Sequence, residues 1–578
     1  MSQSTATVTA PLPAPDVPTS SPTPAAKVTW RMRGLALLSA LLYPLSHPFV
    51  WPGDTSLETV PQSVTQYLAF FCLVPVLVAA RKLTPWRAYL FSMWFLVPGT
   101  FLLLYWLIIA MNVHGHIPLV FSSMLLLLLS VGGWQYLGTA IVTPMILEKH
   151  FRFRSWWTIP VCWTGMEMAR AHVYFGGFSW GNLGASQFKN LPVLQLGALG
   201  GVYIIIFVMA FSNAVLFEVA RWYLRERVFP SKLVAALVGV LVLTYAHGFW
   251  RIQHVDELQA AAPKVRVGML QGNIEQGIKN KDWQHTDFIV SKYEKLQKEA
   301  LAKGADVIIW PEAAYPQALP RDDGSAAGKR FPSLEHASGV IGATVYWREP
   351  PLLSPEECRE DPKNPDCRSR AYLHNSAVVM RNDLTILGRF DKTHLVPFGE
   401  YVPWPFGKIA KAIVPNIATI KPGASFEPVE LPTPASHPRV ASLICYEGVF
   451  PQYARKFAAA GAELLVNVTN DAWYGISSAA PQHLAFYSVR AAETGRAVAR
   501  VANTGITAGI DPLGRILSPS RVFEDAVVVV DLPVMREKTL YTHIGDVLGW
   551  ICLVPYAFAL MLGVGTWWRG RKVRTAAA

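Results

Sequence analysis

The sequence predicts a multi-span α-helical membrane domain joined to an external α/β domain, and three observations lead there. Of the 578 residues, 52% are hydrophobic and 16% charged, against the quarter or so of charged residues in a soluble globular protein. Apolar runs follow one another between residues 34 and 250 and return at 546–568, each near the ~20 residues a spanning helix needs. From 251 to 545 the pattern changes to short β-like runs interleaved with helical ones. About eight transmembrane helices are expected, seven before the α/β domain and one after it.

Residues 1–26 are Ser, Thr, Ala and Pro with almost no charge. Such a segment buries too little apolar surface to offset its ordering entropy, so it reads as a disordered tail. It lacks the basic start and cleavage site of a signal peptide. The domain at 27–250 then holds apolar runs at 34–50, 66–81, 88–110, 117–146, 156–170, 191–221 and 232–250. The run at 156–170 is the weakest, because it carries Glu167 and ends in Arg170. These two read as a pair near the membrane surface, or the segment as re-entrant. Residues 546–578 form the last span and a basic tail.

The basic residues orient the chain. Lys27, Arg31 and Arg33 precede the first run, and the loop after it has no Lys or Arg. Arg81, Lys82 and Arg87 follow the second run, Lys149, Arg152 and Arg154 the fourth, and Arg221, Arg225, Arg227 and Lys232 the sixth. Basic clusters thus fall on alternate sides in one phase, which places both ends in the cytoplasm and 251–545 outside. The net charge of +12 is accounted for by these loops, so no nucleic acid partner is expected.

Six cysteines (Cys72, Cys162, Cys358, Cys367, Cys445 and Cys552) fit no zinc-site spacing, and neither metal nor cofactor is expected. Cys72, Cys162 and Cys552 lie in apolar runs and read as small buried hydrophobes. Cys358 and Cys367 share an acidic, Pro-rich loop and would form a local disulfide if that loop faces an oxidising compartment.

In the α/β domain the runs VRVGML, DVIIW, GVIGATVY, SAVVM, ASLIC, ELLVNV and AVVVVDL are expected strands. Helices are expected at about 284–303, 450–461 and 482–497. Three β-like runs end on a reactive side chain: DVIIW leads to Glu312, ILGRFD to Lys392 and ASLI to Cys445. Strand ends are where open α/β sheets place their sites. A thiolate nucleophile is favoured by a nearby ammonium. A carboxylate can take the thiol proton and pass it on, and a lysine can hold the oxyanion formed at an attacked carbonyl. Glu, Lys and Cys therefore suffice for acyl transfer through a thioester.

WPEAA at 310–314, FDKTHLVPFGEYVP at 390–403 and ICYE at 444–447 resemble the three catalytic blocks of the nitrilase superfamily. QGNI at 271–274, NDAWYG at 470–475 and RAAETGRAVARVANTGITAGID at 490–511 extend the likeness over nearly all of the external domain. The LVPFGEYVP variant, preceded by seven apolar runs and followed by one, is more specific. It resembles the membrane-embedded branch of that superfamily, the bacterial apolipoprotein N-acyltransferases, over essentially the whole chain after the tail. FGGFSWGNLGASQ, before the sixth run, is similar to that branch's membrane part.

The resemblance implies an αββα sandwich at 251–545, with Glu312 as general base, Lys392 as oxyanion stabiliser and Cys445 as nucleophile. It also implies that Glu400 supports this triad and that Tyr446 and Glu447 serve beside the nucleophile. Asn375, Trp473 and Arg490 stand in recurring blocks and are expected to be structural or pocket-forming. The implied acyl donor is a membrane phospholipid, expected to be phosphatidylethanolamine, and the acceptor is a diacylated apolipoprotein. The implied location is the bacterial inner membrane, with the catalytic domain on the periplasmic face. The segment 401–420 is expected to be either an apolar lid against the bilayer or a packed surface loop. The alternative is a membrane-tethered nitrilase-type amidohydrolase, which the same three side chains would serve.

Overall fold

The computed structural model describes residues 27–51, 64–173, 176–279, 284–322, 324–349, 370–397, 399–403, 420–434 and 436–576. The N-terminal tail, the Cys358–Cys367 loop and most of the expected lid lie outside these residues.

Among the described residues, two six-stranded sheets form the α/β domain. The first has the order β12–β1–β2–β3–β4–β5, with β1 at Lys264–Gln271, β2 at Val307–Pro320, β3 at Ser338–Glu349, β4 at Arg370–Met380, β5 at Ile386–Asp391 and β12 at Ala526–Pro533. The second has the order β11–β10–β9–β8–β7–β6, with β6 at Val429–Glu430, β7 at Arg439–Ile444, β8 at Leu464–Thr469, β9 at Ala497–Ala502, β10 at Ala508–Ile510 and β11 at Ile516–Leu517. Pairs β1/β2, β2/β3, β7/β8 and β8/β9 are parallel. Every residue of β8 and β9 is buried, as expected of parallel strands covered on both faces.

The inner faces of the sheets share one core, in which Val267, Met269, Val307 and Val340 meet Val440, Leu443, Val466 and Val498. The helix Thr286–Ala302 covers the outside of the first sheet, with Tyr293 stacked on Trp310 at 4.4 Å. The helices Pro451–Ala459 and Ala479–Thr494 cover the second. The domain is thus an αββα sandwich.

The helix expected at 482–497 starts three residues earlier and stops at Thr494. Gly495, with φ +64°, ends it in a left-handed cap, and Ala497, expected as its last residue, instead opens β9. All sixteen of its residues are buried, because membrane segments cover its outer side. Gln482 ties three of them together. Its Oε1 accepts hydrogen bonds from Nε1 of Trp106 (3.3 Å) and Trp180 (2.8 Å), and its Nε2 donates to the Pro48 carbonyl at 3.1 Å.

Among the described residues, three helices are long and apolar enough to cross a membrane: Gly197–Tyr223, Ser231–Ala261 and Val547–Thr566. A fourth counts if Pro85–Leu103 and Trp106–His114, bent by 53°, form one broken span. The other expected runs are divided or short. Gly138 separates Leu119–Leu137 from Thr139–Phe151, the run at 66–81 splits into a 3-10 turn at Val64–Phe70 and a helix at Val74–Ala80, and Trp30–Leu45 and Ser155–Arg170 have 16 residues each. Glu167 and Arg170 do pair, both buried, and Arg170 also donates to the Trp180 carbonyl at 2.8 Å.

Basic loops from three runs meet at one end of the bundle. Glu226 accepts from Arg81 and Lys82 at 3.0 Å each, and Glu148 accepts from Arg227 at 3.3 Å and lies 3.8 Å from Arg221. The α/β domain packs on other segments of the membrane part: the Val50 N–H donates to Ser478 Oγ at 2.8 Å, and His114 Nε2 lies 3.0 Å from the Ala472 carbonyl.

Candidate functional site

Each of the three reactive side chains stands where a strand stops or is interrupted. Glu312 lies inside β2, where pairing with β3 shifts register between Trp310 and Tyr315. Ala313 takes φ +48° there. A Cβ on Gly342 of β3 would meet the Pro311 carbonyl oxygen at 1.9 Å, so only glycine lets the strands approach at this bulge. Lys392 follows the last residue of β5, and its N–H donates to the Asn375 carbonyl at 2.8 Å. Cys445 follows β7, opens a 3-10 turn at Cys445–Val449 and has φ +53°. A non-glycine residue in that region carries strain and is over-determined by its surroundings.

The structure brings Glu312, Lys392 and Glu400 into direct contact. Lys392 Nζ, 1% exposed, donates to Glu400 Oε1 at 2.9 Å and to Glu312 Oε1 at 3.2 Å. Asn375 Nδ2 donates to the same two oxygens at 3.0 and 2.7 Å. The second oxygen of each carboxylate is held by backbone: Glu312 Oε2 accepts the Asn470 N–H at 3.0 Å and Glu400 Oε2 the Val396 N–H at 2.8 Å. Burial opposes the charge of Lys392, but Glu312 and Glu400 outweigh it and raise its pKa well above the ordinary value. Burial alone would raise the Glu400 pKa, and Lys392 turns the balance to a lowered one.

Cys445 lies within the field of this cluster. Burial raises its thiol pKa, Glu312 and Glu400 raise it further, and Lys392 opposes them. These surroundings favour the thiol over the thiolate.

Glu447 clamps the end of β7, which leads into Cys445, to the segment after Lys392. Its Oε1 accepts from the N–H groups of Thr393 (2.6 Å) and His394 (3.0 Å) and from Thr393 Oγ1 (2.8 Å), and its Oε2 accepts the Ile444 N–H at 2.7 Å. Tyr446 does the same through its hydroxyl, which donates to the Leu395 carbonyl at 2.9 Å while its ring lies 5.9 Å from Lys392 Nζ.

Residues 266–539 match the family model for carbon-nitrogen hydrolases, and residues 57–215 match that for the apolipoprotein N-acyltransferase N-terminal domain. The apolipoprotein N-acyltransferase of Geobacter metallireducens is 33% identical over 539 residues, covering 91% of this chain and 94% of that one. The chain belongs to the apolipoprotein N-acyltransferase family. A relative of the same name from Pseudomonas putida is 30% identical over 533 residues, covering 89% of this chain and 97% of its own.

This member of the apolipoprotein N-acyltransferase family uses more polar groups around Glu312 than its motifs announce. Asn375, expected only as structural or pocket-forming, touches both carboxylates, and the Asn470 N–H, which no side-chain pattern could reveal, holds Glu312. Arg490 is fully buried against Glu493 on its own helix, and Trp473 is 39% exposed with its ring 5.4 Å from that of His114. Neither is bonded to the carboxylate cluster. Cys72, Cys162 and Cys552 are free and buried, as expected of small hydrophobes.

His394 gives the site an acid limit. Burial, then the charge of Lys392, lowers its pKa to about 4, and its Nδ1 lies 2.9 Å from the Tyr453 hydroxyl. The unfolded chain binds this proton near pH ~6.5. The neutral ring's contribution is therefore complete above that pH and is lost as pH falls toward the folded-state value. Between pH 7 and pH 5 the loss is expected to be about 2 kcal/mol. Thermal unfolding of the detergent-solubilised chain at the two pH values should show it, with a smaller drop in His394→Gln.

Proposed function

We propose that the chain transfers an acyl group from a membrane phospholipid to the α-amine of an N-terminal diacylglyceryl-cysteine, with Glu312, Lys392 and Cys445 as the triad. The observation that carries the reading is the pairing of buried Lys392 with Glu312 beside a strained, buried cysteine. In the first half-reaction Cys445 sulfur attacks the phospholipid ester carbonyl while Glu312 takes the thiol proton. Lys392 Nζ and the Tyr446 N–H hold the oxyanion. The adduct collapses by breaking the ester C–O bond, Glu312 returns the proton to the departing oxygen, and a lysophospholipid leaves. In the second half the amine attacks the thioester and gives a proton to Glu312. That proton returns to sulfur as the C–S bond breaks and the amide is released. Glu400 and Asn375 keep Lys392 and Glu312 aligned through both halves, and Tyr446 and Glu447 hold the nucleophile turn against Lys392.

The setting proposed is the bacterial inner membrane, crossed several times, with the α/β domain on the periplasmic face and the basic loops in the cytoplasm. The meeting of Arg81, Arg221 and Arg227 at one end of the bundle supports this orientation. The acyl donor proposed is phosphatidylethanolamine. Both lipid substrates hold to the bilayer by roughly 0.8 kcal/mol per buried CH₂, so a site that opens beside the membrane spares them extraction.

The test uses the full chain in nanodiscs with acyl-labelled phosphatidylethanolamine. Without acceptor, a hydroxylamine-labile acyl group is expected on the Cys445 peptide, and a diacylated lipopeptide should discharge it. Hydrolysis of soluble amides with no label on Cys445 would instead establish the amidohydrolase.

A further inference from the structure

Behind Cys445 lies a second buried polar cluster that the half-reactions above do not use. Asn467 Nδ2 donates to the Leu443 carbonyl at 2.9 Å, and three of the cluster's side chains, Asn467 among them, reach one atom, the main-chain carbonyl oxygen of Cys445. Tyr487 donates its hydroxyl to that oxygen at 2.5 Å and Asn467 its Nδ2 at 3.3 Å, and His483 places Nε2 at 3.2 Å. These side chains are anchored in turn. Arg500 Nη1 donates to Asn467 Oδ1 at 2.6 Å and Nη2 to Asp471 Oδ2 at 2.7 Å, while Asp471 Oδ1 lies 2.9 Å from His483 Nδ1. The Arg500 guanidinium also sits 5.1 Å from the centre of the Tyr487 ring. Tyr487 is pinned from its other side, since the Gly448 N–H donates to its hydroxyl at 3.2 Å, and a Cβ on Gly448 would come within 2.3 Å of Cζ. None of Asn467, Asp471, His483, Tyr487 and Arg500 is more than 1% exposed.

An arginine and an aspartate buried this deeply are costly unless well paired, and here they hold Asn467 and His483, two of the three side chains that reach the Cys445 carbonyl. The peptide unit that contains the Cys445 C=O also contains the Tyr446 N–H. A trans peptide is planar, so the two bonds point in opposite directions. Whatever holds the carbonyl toward the buried cluster turns the Tyr446 N–H away from it. Cys445 itself has φ +53°, a conformation that costs of order 1–3 kcal/mol and persists only where its surroundings over-determine it.

We propose that Tyr487, Asn467 and the Arg500–Asp471–His483 chain are positioning residues. By gripping the Cys445 carbonyl, they aim the Tyr446 N–H at the oxyanion of the acyl-transfer steps. This rests on the reading of Cys445 as the acyl-carrying nucleophile. The role is separable from nucleophilicity, because alkylation of a thiol by iodoacetamide displaces iodide at a saturated carbon and forms no oxyanion. Weakening the grip should therefore slow acylation and leave alkylation alone.

The experiment compares Tyr487→Phe and His483→Asn with the unsubstituted full chain in nanodiscs. The first variant removes one hydroxyl and keeps the ring, and the second keeps a donor near Asp471 but withdraws from the carbonyl. In each, the maximal rate of thioester formation from acyl-labelled phospholipid is expected to fall about tenfold to a hundredfold. KM and the iodoacetamide rate at Cys445 should stay within about twofold of the parent. Unchanged acylation in both variants overturns the proposal, and so does alkylation that falls in step with acylation, which would mark a general collapse of the site. If the unsubstituted chain itself forms no thioester on Cys445, the nucleophile assignment fails and this inference goes with it. If one variant does not fold, the other decides by the same readouts.

Discussion

Replacing Lys392 by methionine is expected to remove both activity and a large part of the fold's stability. The ammonium is 1% exposed and bonded to Glu400 and Glu312. Methionine fills similar space but leaves two carboxylates, joined through Asn375, without a cation. Breaking one side of a buried pair costs about 3–5 kcal/mol, and losing one oxyanion donor costs roughly 10²–10³ in rate. The pH dependence separates this from ordinary packing damage. In the unsubstituted chain Glu400 has a lowered pKa, so its contribution is present above the ordinary carboxylate range and fades only as pH falls through the lowered value. Lys392, with a raised pKa, keeps its contribution until pH climbs past its own folded-state value. Without the lysine the carboxyls favour protonation, so the stability gap between variant and parent should narrow on acidification. Thermal unfolding from pH 7 down to pH 5 would show this, and a gap independent of pH would rule out the charge explanation.

Glu312→Gln is expected to move transfer and thiol reactivity in opposite directions. Glutamine cannot take the thiol proton, so acyl transfer should fall by about 10²–10⁴. Its amide must also turn a donor toward either the Asn470 N–H or the Lys392 and Asn375 donors, both of which now give to Glu312. Yet the negative charge of Glu312 is one of the causes that raise the Cys445 pKa, second only to burial, while Lys392 lowers it. Removing that charge leaves the lysine less opposed. The pH profile of Cys445 alkylation should therefore shift to lower pH while transfer collapses. A profile shifted upward, or transfer retained, would remove Glu312 from the role of base.

The α/β part was readable because buried parallel strands write themselves as unbroken apolar runs. DVIIW, ELLVNV and ASLI are strands; the last two lead into 3-10 turns, and the first into a bulge within β2, each carrying polar groups. Their meeting in space was not readable, since Glu312, Lys392 and Cys445 are joined by pairings between strands distant in the chain. The helix expected at 482–497 runs past Thr494 because Arg496 and Ala497 suit a basic last turn. Gly495 decided otherwise. The carbonyl-directed cluster was not legible for a different reason: Asn467 and His483 sit inside apolar stretches without a motif, Arg500 stands in a block that does not reveal its partners, and the atom they hold is a backbone oxygen. In the membrane part hydropathy reports only that a run is apolar. It does not say that Gly138, or the Gly200–Gly201 pair, will bend or divide it.

The wholly buried helix Ala479–Thr494 has a practical consequence. It carries the Tyr487 and His483 grip on one side and meets the membrane helices through Gln482 on the other. A soluble fragment cut near residue 262 would lay that second side open to water. The piece excised for convenience would be an aggregation-prone remnant, because the membrane bundle is the missing wall of the α/β domain's own core.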